Sequence, residues 1–221
     1  MLRITSLIFA LLVSWSACAQ VPLTGAGKGA PGGALPSYSF AGSGTFSGAS
    51  TAATFPIDIG PASATRYIVV GSSVTSTDTY TVTVNSIPLI QDIAVTPSNS
   101  AYIFSGLVAV GSGVQNVVLS CISCAFQTRD VFVWILNNLN TNLAKHTGSG
   151  NGTTASINVT SGDFLFSVNH GGANFNGSTE TPAENLTVGS SAAADWTVIS
   201  TNASFSAIAS ASGPTAAATY H

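Results

Sequence analysis

Charged side chains are nearly missing from this chain: Asp, Glu, Lys and Arg make up 6% of its 221 residues, against about 25% in an ordinary soluble domain. With five Lys and Arg against eight Asp and Glu, the formal net charge is -3. The two lysines, Lys28 and Lys145, stand far apart, so no basic face exists to neutralise a phosphate backbone, and nucleic acid is excluded as a partner. Cysteine is also scarce, with three in all, which excludes a disulfide-built scaffold. No apolar run approaches the roughly 20 residues that a membrane-spanning helix needs. No self-similarity at a period of about 20 to 50 residues is present, which argues against solenoids and propellers. What remains to wet the surface is Ser, Thr, Asn and Gly, a choice that goes with extracellular, cell-wall and virion proteins.

The first residues have the layout of a secretory signal peptide. Met1-Leu2-Arg3 supplies a positive start, Ile4 to Val13 is apolar, and Ala17-Cys18-Ala19 is a small-x-small cleavage site. Cleavage is expected after Ala19, giving a mature chain that starts at Gln20 and has no membrane span. Lipidation at Cys18 is the alternative, with Trp15 where such signals usually carry Leu. Residues 20–50 are rich in Gly, Ala, Pro and Ser, as in Thr24-Gly25-Ala26-Gly27-Lys28-Gly29, and read as a flexible arm because glycine loses the most backbone freedom on ordering. Residues 210–221 read as a second flexible tail. The folded domain is thus expected at 51–209, one unit for a chain of this length.

Within it the pattern is that of strands. Arg66-Tyr67-Ile68-Val69-Val70 is a short apolar run, and Tyr80-Thr81-Val82-Thr83-Val84 alternates, which puts Tyr80, Val82 and Val84 on one face. Asn85-Ser86 before Ile87-Pro88-Leu89 predicts a hairpin. Further strands are expected at 102–110, 114–120, 131–136, 156–159, 164–168, 196–199 and 205–208. Turn clusters such as Gly111-Ser112-Gly113 and Gly148-Ser149-Gly150-Asn151-Gly152 fall between them. A helical turn is conceivable only over 136–145. Many short strands at this spacing predict an all-β fold, an antiparallel β-sandwich of jelly-roll type.

Chemistry-bearing motifs are few. The Lys28 segment lacks the Ser or Thr that must follow the lysine of a phosphate loop. Cys121-Ile122-Ser123-Cys124 is the one close pair of cysteines. It is expected to be a local disulfide at a strand end or a pair of free thiols, since a redox motif would open a helix and a zinc site needs two further ligands. His146, His170 and His221 are isolated from one another, and no Gly-x-Ser-x-Gly elbow accompanies them. The acids Asp58, Asp78, Asp92, Asp130, Asp163 and Asp195 sit beside turn or strand-edge residues where Asp caps backbone amides, and Glu180 and Glu184 share a Pro-containing loop. Trp134 lies in an apolar run and is expected in the core. Phe175 differs: flanked by Asn174 and Asn176 in a glycine-rich loop, it is expected to be exposed, with the amides suited to sugar hydroxyls. These three residues are the candidate ligand contact. No catalytic set, metal site or cofactor is expected.

Three stretches, Ile57-Asp58-Ile59-Gly60, then Ala64-Thr65-Arg66-Tyr67-Ile68-Val69-Val70-Gly71, then Val82-Thr83-Val84-Asn85-Ser86-Ile87-Pro88-Leu89, resemble a loose group of uncharacterised β-rich structural proteins of tailed phages and prophages. In that group an Arg-led apolar strand precedes a hairpin with Gly-Gly at its turn, where this chain has Asn85-Ser86. Gly106 to Gly113 and the strands after it continue the likeness, over roughly residues 52–208. The resemblance implies a virion component and carries over no catalytic residue. Together with the composition, it leads to the expectation of a non-enzymatic structural or adhesive protein, secreted to the cell surface or carried on a virion. Its expected partners are further copies, other structural subunits or a surface polysaccharide. The alternatives are a carbohydrate-binding module and, more distantly, a polysaccharide hydrolase.

Overall fold

The computed structural model describes residues 35–221 apart from 123, 125, 141–143, 145, 172–173 and 200. The signal segment 1–19, the first part of the arm, and both Lys28 and Lys145 lie outside the described residues. The described chain is all-β: β1 Ser37–Ala49, β2 Ala52–Asp58, β3 Tyr67–Val74, β4 Tyr80–Val84, β5 Ile87–Pro88, β6 Ile90–Val95, β7 Ser100–Leu107, β8 Val114–Cys121, β9 Phe126–Asn137, β10 His146–Val159, β11 Phe164–His170, β12 Phe175–Gly177, β13 Glu184–Val188, β14 Ser191–Thr197 and β15 Asn202–Tyr220. No described helix is long and apolar enough to cross a membrane.

The strands form three antiparallel sheets. A central sheet runs β1-β9-β3-β7-β6, a second β2-β8-β4-β5, and a third β10-β15-β11-β14-β13, with β12 on β15. The central sheet is covered on both faces. Strand alternation sends Ile68, Val70, Tyr102, Phe104, Val131 and Val133 into a core shared with β2, β4 and β8. The intervening residues Tyr67, Val69, Ile103, Phe132 and Trp134 enter a second core with Phe166 and Val168 of β11 and Ala216 and Ala218 of β15. That double cover explains why β3 is buried at all eight positions, and why its first half, Tyr67 to Val70, is a continuous apolar run rather than an alternating one. The arrangement is sandwich-like but layered beyond two sheets.

Two expectations about flexible ends are corrected. Residues 37–49 of the supposed arm are β1, in register with β9 from Ser37↔Asn137 to Ala49↔Phe126. Its Gly and Ser residues suit a strand edge because β2 lies close against it: a Cβ on Gly44 would sit against the Phe55 ring. Residues 210–220 of the supposed tail belong to β15, and Ala216, Ala217, Ala218 and Tyr220 are all at 0% exposure. Small side chains there let the sheets on either side approach.

The Gly148–Gly152 cluster is likewise no turn between strands but a bend inside β10. The β10–β15 ribbon loses register between Gly152 and Thr154. A Cβ on Gly148 or Gly150 would collide with the backbone of Ser156 or Thr154, so the glycines let the ribbon fold back over the third sheet. The fold-back encloses a further core of Ile157, Phe175, Phe205 and Trp196. The Asn85-Ser86 hairpin forms as expected, with Thr83↔Pro88 and Val84↔Ile87 paired. Both turn residues have positive φ, 49° and 64°, the signature of a type I′ turn.

Candidate functional site

Beside β1 and the end of β2 lies a groove of about 390 Å³, lined by Ser39, Phe40, Asp58, Ser63, Arg66 and Asn137 among others. Arg66 forms its floor and is 1% exposed. Its guanidinium donates from Nε to Val108 O at 2.9 Å, from Nη1 to Ile59, Gly60 and Pro61 carbonyls, and from Nη2 to Val110 and Gly111 carbonyls at 2.7 and 2.9 Å. All five N–H groups are thereby occupied, so Arg66 clasps two loops and has no donor left for a ligand. Asp58 accepts from the Gly60 amide at 2.9 Å, a turn cap of the kind its sequence position predicts.

Three polar links cross between the central and third sheets. Asp195 on β14, fully buried, accepts from Trp134 Nε1 at 2.8 Å and from Tyr38 OH at 3.0 Å. Burial, with Glu184 nearby, pushes its carboxyl up to about 7. Tyr220 OH donates to Asp92 at 2.5 Å, and burial raises the Asp92 carboxyl. Ser191 Oγ donates to Asp130 at 2.6 Å, while Ser73 Oγ bonds His170 Nδ1 at 2.7 Å. Sheet register makes this last link a square, because Ser73 is opposite Asp130 on one sheet and His170 opposite Ser191 on the other.

The square brings serine, histidine and aspartate together, which no sequence spacing indicated. Ser73 is 1% and Ser191 0% exposed, so neither hydroxyl meets a substrate, and the set joins layers. His221 Nδ1 lies 3.0 Å from Asp163 and fastens the last residue. Among the described residues no three His, Cys, Asp or Glu side chains converge as metal ligands.

The expected ligand contact needs correction. Phe175 is at 0% exposure, edge-on to Trp196 at 6.1 Å, because its short strand pairs with β15 and turns the ring inward. The carboxamide of Asn185 holds both its amide, at 2.7 Å, and its carbonyl, at 3.0 Å. Asn174 and Asn176 remain exposed but have no exposed aromatic between them. Trp134 is in the core, as its apolar run predicts.

At the other end of the molecule, Cys121 and Cys124 form a disulfide. Against it stands Arg129, at 0% exposure, with its guanidinium over the Phe46 ring at 5.5 Å and the Tyr80 ring at 5.8 Å. Nη2 donates to the Ser50 carbonyl and lies 3.6 Å from Cys121 Sγ. Nε and Nη1 have no hydrogen-bond partner. Tyr80 OH bonds Gln127, whose amide donates to Asp78 at 2.8 Å. A charge-poor sequence gives no hint that its few cations are interior; for Arg129 the one available signal is its position at strand alternation with Val131 and Val133.

Comparison with family models, with curated proteins and with solved structures finds no match to this chain.

Proposed function

We propose that the chain is a non-enzymatic structural or adhesive protein, exported to the cell surface or carried on a phage particle, that works by associating with further copies or with other structural subunits. The observation that carries this reading is where the ionisable groups go. Both described arginines are interior, three aspartates join layers, Asp58 and Asp163 accept from turn amides, and Asp78 accepts from the Ser76 hydroxyl and the Gln127 side chain. The solvent face is therefore mostly Ser, Thr, Asn and Gly, with few charges such as Asp58 and Glu184 and with exposed apolar side chains at Ile90, Val110, Val114 and Ile199. β1 also presents a long sheet edge with no charge or proline on it, the kind of edge that pairs with another chain.

Two measurements test it. Light scattering over rising concentration is expected to show reversible or stable association, and a monomer throughout would overturn the assembly. Intact mass of the protein from its native source is expected to begin at Gln20 for the exported form and at Met1 for the particle-borne form.

A second reading, a carbohydrate-binding module, is favoured by the groove, whose Ser39, Asp58, Ser63 and Asn137 suit hydroxyl groups. A glycan array comparing the wild type with Asn137→Ala decides it: signal lost in the variant supports the module, and no signal from either removes it.

A further inference from the structure

Arg129 is a buried cation that no described carboxylate accompanies. The next residue, Asp130, faces the opposite side of the central sheet, where it accepts from Ser191. Asp78 is engaged by Ser76 and by Gln127. A fully buried guanidinium with two unpartnered nitrogens carries a large desolvation cost, and of the groups touching it Cys121 Sγ is the one that thiol chemistry turns into an anion. The two sulfurs are also unequal toward solvent. Cys121 is 9% exposed, Cys124 is more open, and Ile122 between them is 89% exposed.

We propose that Cys121–Cys124 is an exchange-active disulfide, opened by an external thiol at Cys124, with Arg129 holding the Cys121 thiolate that departs. The incoming thiolate forms a new S–S bond to Cys124 Sγ as the Cys124–Cys121 bond breaks, and the electron pair of that bond stays on Cys121 Sγ. When the reagent is a dithiol, its second thiolate attacks the sulfur of its own mixed disulfide. Cys124 then leaves as a thiolate and takes up a proton. The dithiol is oxidised and the protein disulfide reduced, by two electrons. Leaving-group stability governs which sulfur is released, and a thiolate beside a guanidinium is the more stable one. The other groups facing this corner are Tyr80 of β4, with its hydroxyl 3.7 Å from Cys124 Sγ, and Asp78, which would disfavour a thiolate but has the Gln127 amide on it. Phe46 and Tyr80 cover the guanidinium faces and keep water from screening the charge. This inference goes beyond the structural reading and does not rest on it.

The test uses the full chain and reduced glutathione, with acid quenching and peptide mapping. Glutathione is expected on Cys124 with Cys121 free; capture on Cys121 instead, or no exchange by the folded protein, would overturn the proposal. In Cys124→Ser, peptide-resolved alkylation across pH reads Cys121 apart from Cys18. Its ionisation is expected at least about one unit below the ordinary 8.5 of a free thiol, and ionisation at or above that value would sink the idea. Arg129→Gln in the same background is expected to return Cys121 to the ordinary range while Arg129→Lys keeps it low. Should Arg129→Gln fail to fold, the titration of folded Cys124→Ser decides by itself.

Discussion

Single residues in this protein do work that their type seldom does. Arg66 is usually the kind of side chain that meets solvent or a ligand, yet here its planar fork joins the 59–61 and 108–111 loops through backbone carbonyls. Replacing it with Met leaves those carbonyls buried without donors, and each unsatisfied buried group costs about 1–3 kcal/mol. Arg66→Met is therefore expected to lower stability by at least about 3 kcal/mol, read as a fall in the urea midpoint. Arg66→Lys should recover little of it, because an ammonium is a point donor that cannot span two loops. Ser86 offers the opposite case. It occupies left-handed φ in the type I′ turn, a conformation that costs a residue with a Cβ about 1 kcal/mol. Ser86→Gly relieves this at some cost in unfolded-chain entropy, so a small net gain, about 0.5 kcal/mol, is expected in thermal unfolding.

At the scale of elements, a one-residue irregularity decides what β1 can do. The register shift between Phe40 and Gly42 moves successive residues to the opposite face. Tyr38 and Phe40 thus pack toward the third sheet, while Ala41 and Phe46 pack toward the second. One edge strand in this way serves Asp195 at one end and Arg129 at the other. Strands whose apolar residues are branched or aromatic, such as β4, β8 and β11, were legible in the sequence, because periodicity and turn residues agree there. β1, β14 and the end of β15 were not: Gly, Ser and Ala are weak strand formers, and their placement is set by neighbours that need small side chains. Phe175 was misplaced for the same reason, its Asn and Gly flanks describing the loop but not the strand it pairs with. Gly71 shows this close packing most sharply. A Cβ there would run into Val168 Cγ2 and lie 3.1 Å from Trp134. Gly71→Ala is expected to destabilise by about 1–3 kcal/mol through overpacking. Adding Val168→Ala should restore part of the loss, a positive coupling in a double-mutant cycle; simple additivity of the two losses would count against close approach of the sheets.

At the scale of the whole molecule, the two interfaces of the central sheet differ in kind. The one toward β2, β4 and β8 is apolar through its middle, while the one toward β11, β14 and β15 contains Asp92, Asp130 and Asp195 among its aromatics. No sequence pattern distinguished these aspartates from the turn-capping ones, since burial on the far side of a sheet depends on a partner strand 60 or more residues away. For Asp92 and Asp195, both raised by burial, the consequence is a pH dependence with a definite sign. A carboxyl raised by burial keeps its proton in the folded state after the unfolded chain has released its own, so its contribution is whole below about pH 4 and is lost as pH rises. For Asp195 the loss runs from there to about 7, at ~1.4 kcal/mol per pH unit, and levels off above. His170, lowered by burial, acts in the opposite direction, favouring the fold where it is neutral and losing that contribution as pH falls. The two effects separate in Asp195→Asn, which has no proton to lose at this position whatever constant offset the amide introduces. Relative to the variant, the wild type is expected to lose a few kcal/mol in urea unfolding between pH 5 and pH 8, with Trp134 reporting the transition. An equal gap between the two proteins at both pH values would mean that Asp195 carries no differential proton. Where the loss is seen, hydrogen exchange should accelerate first in β11 and β14, the strands that Asp195 ties to the central sheet, while β2, β4 and β8 keep their protection behind the apolar interface.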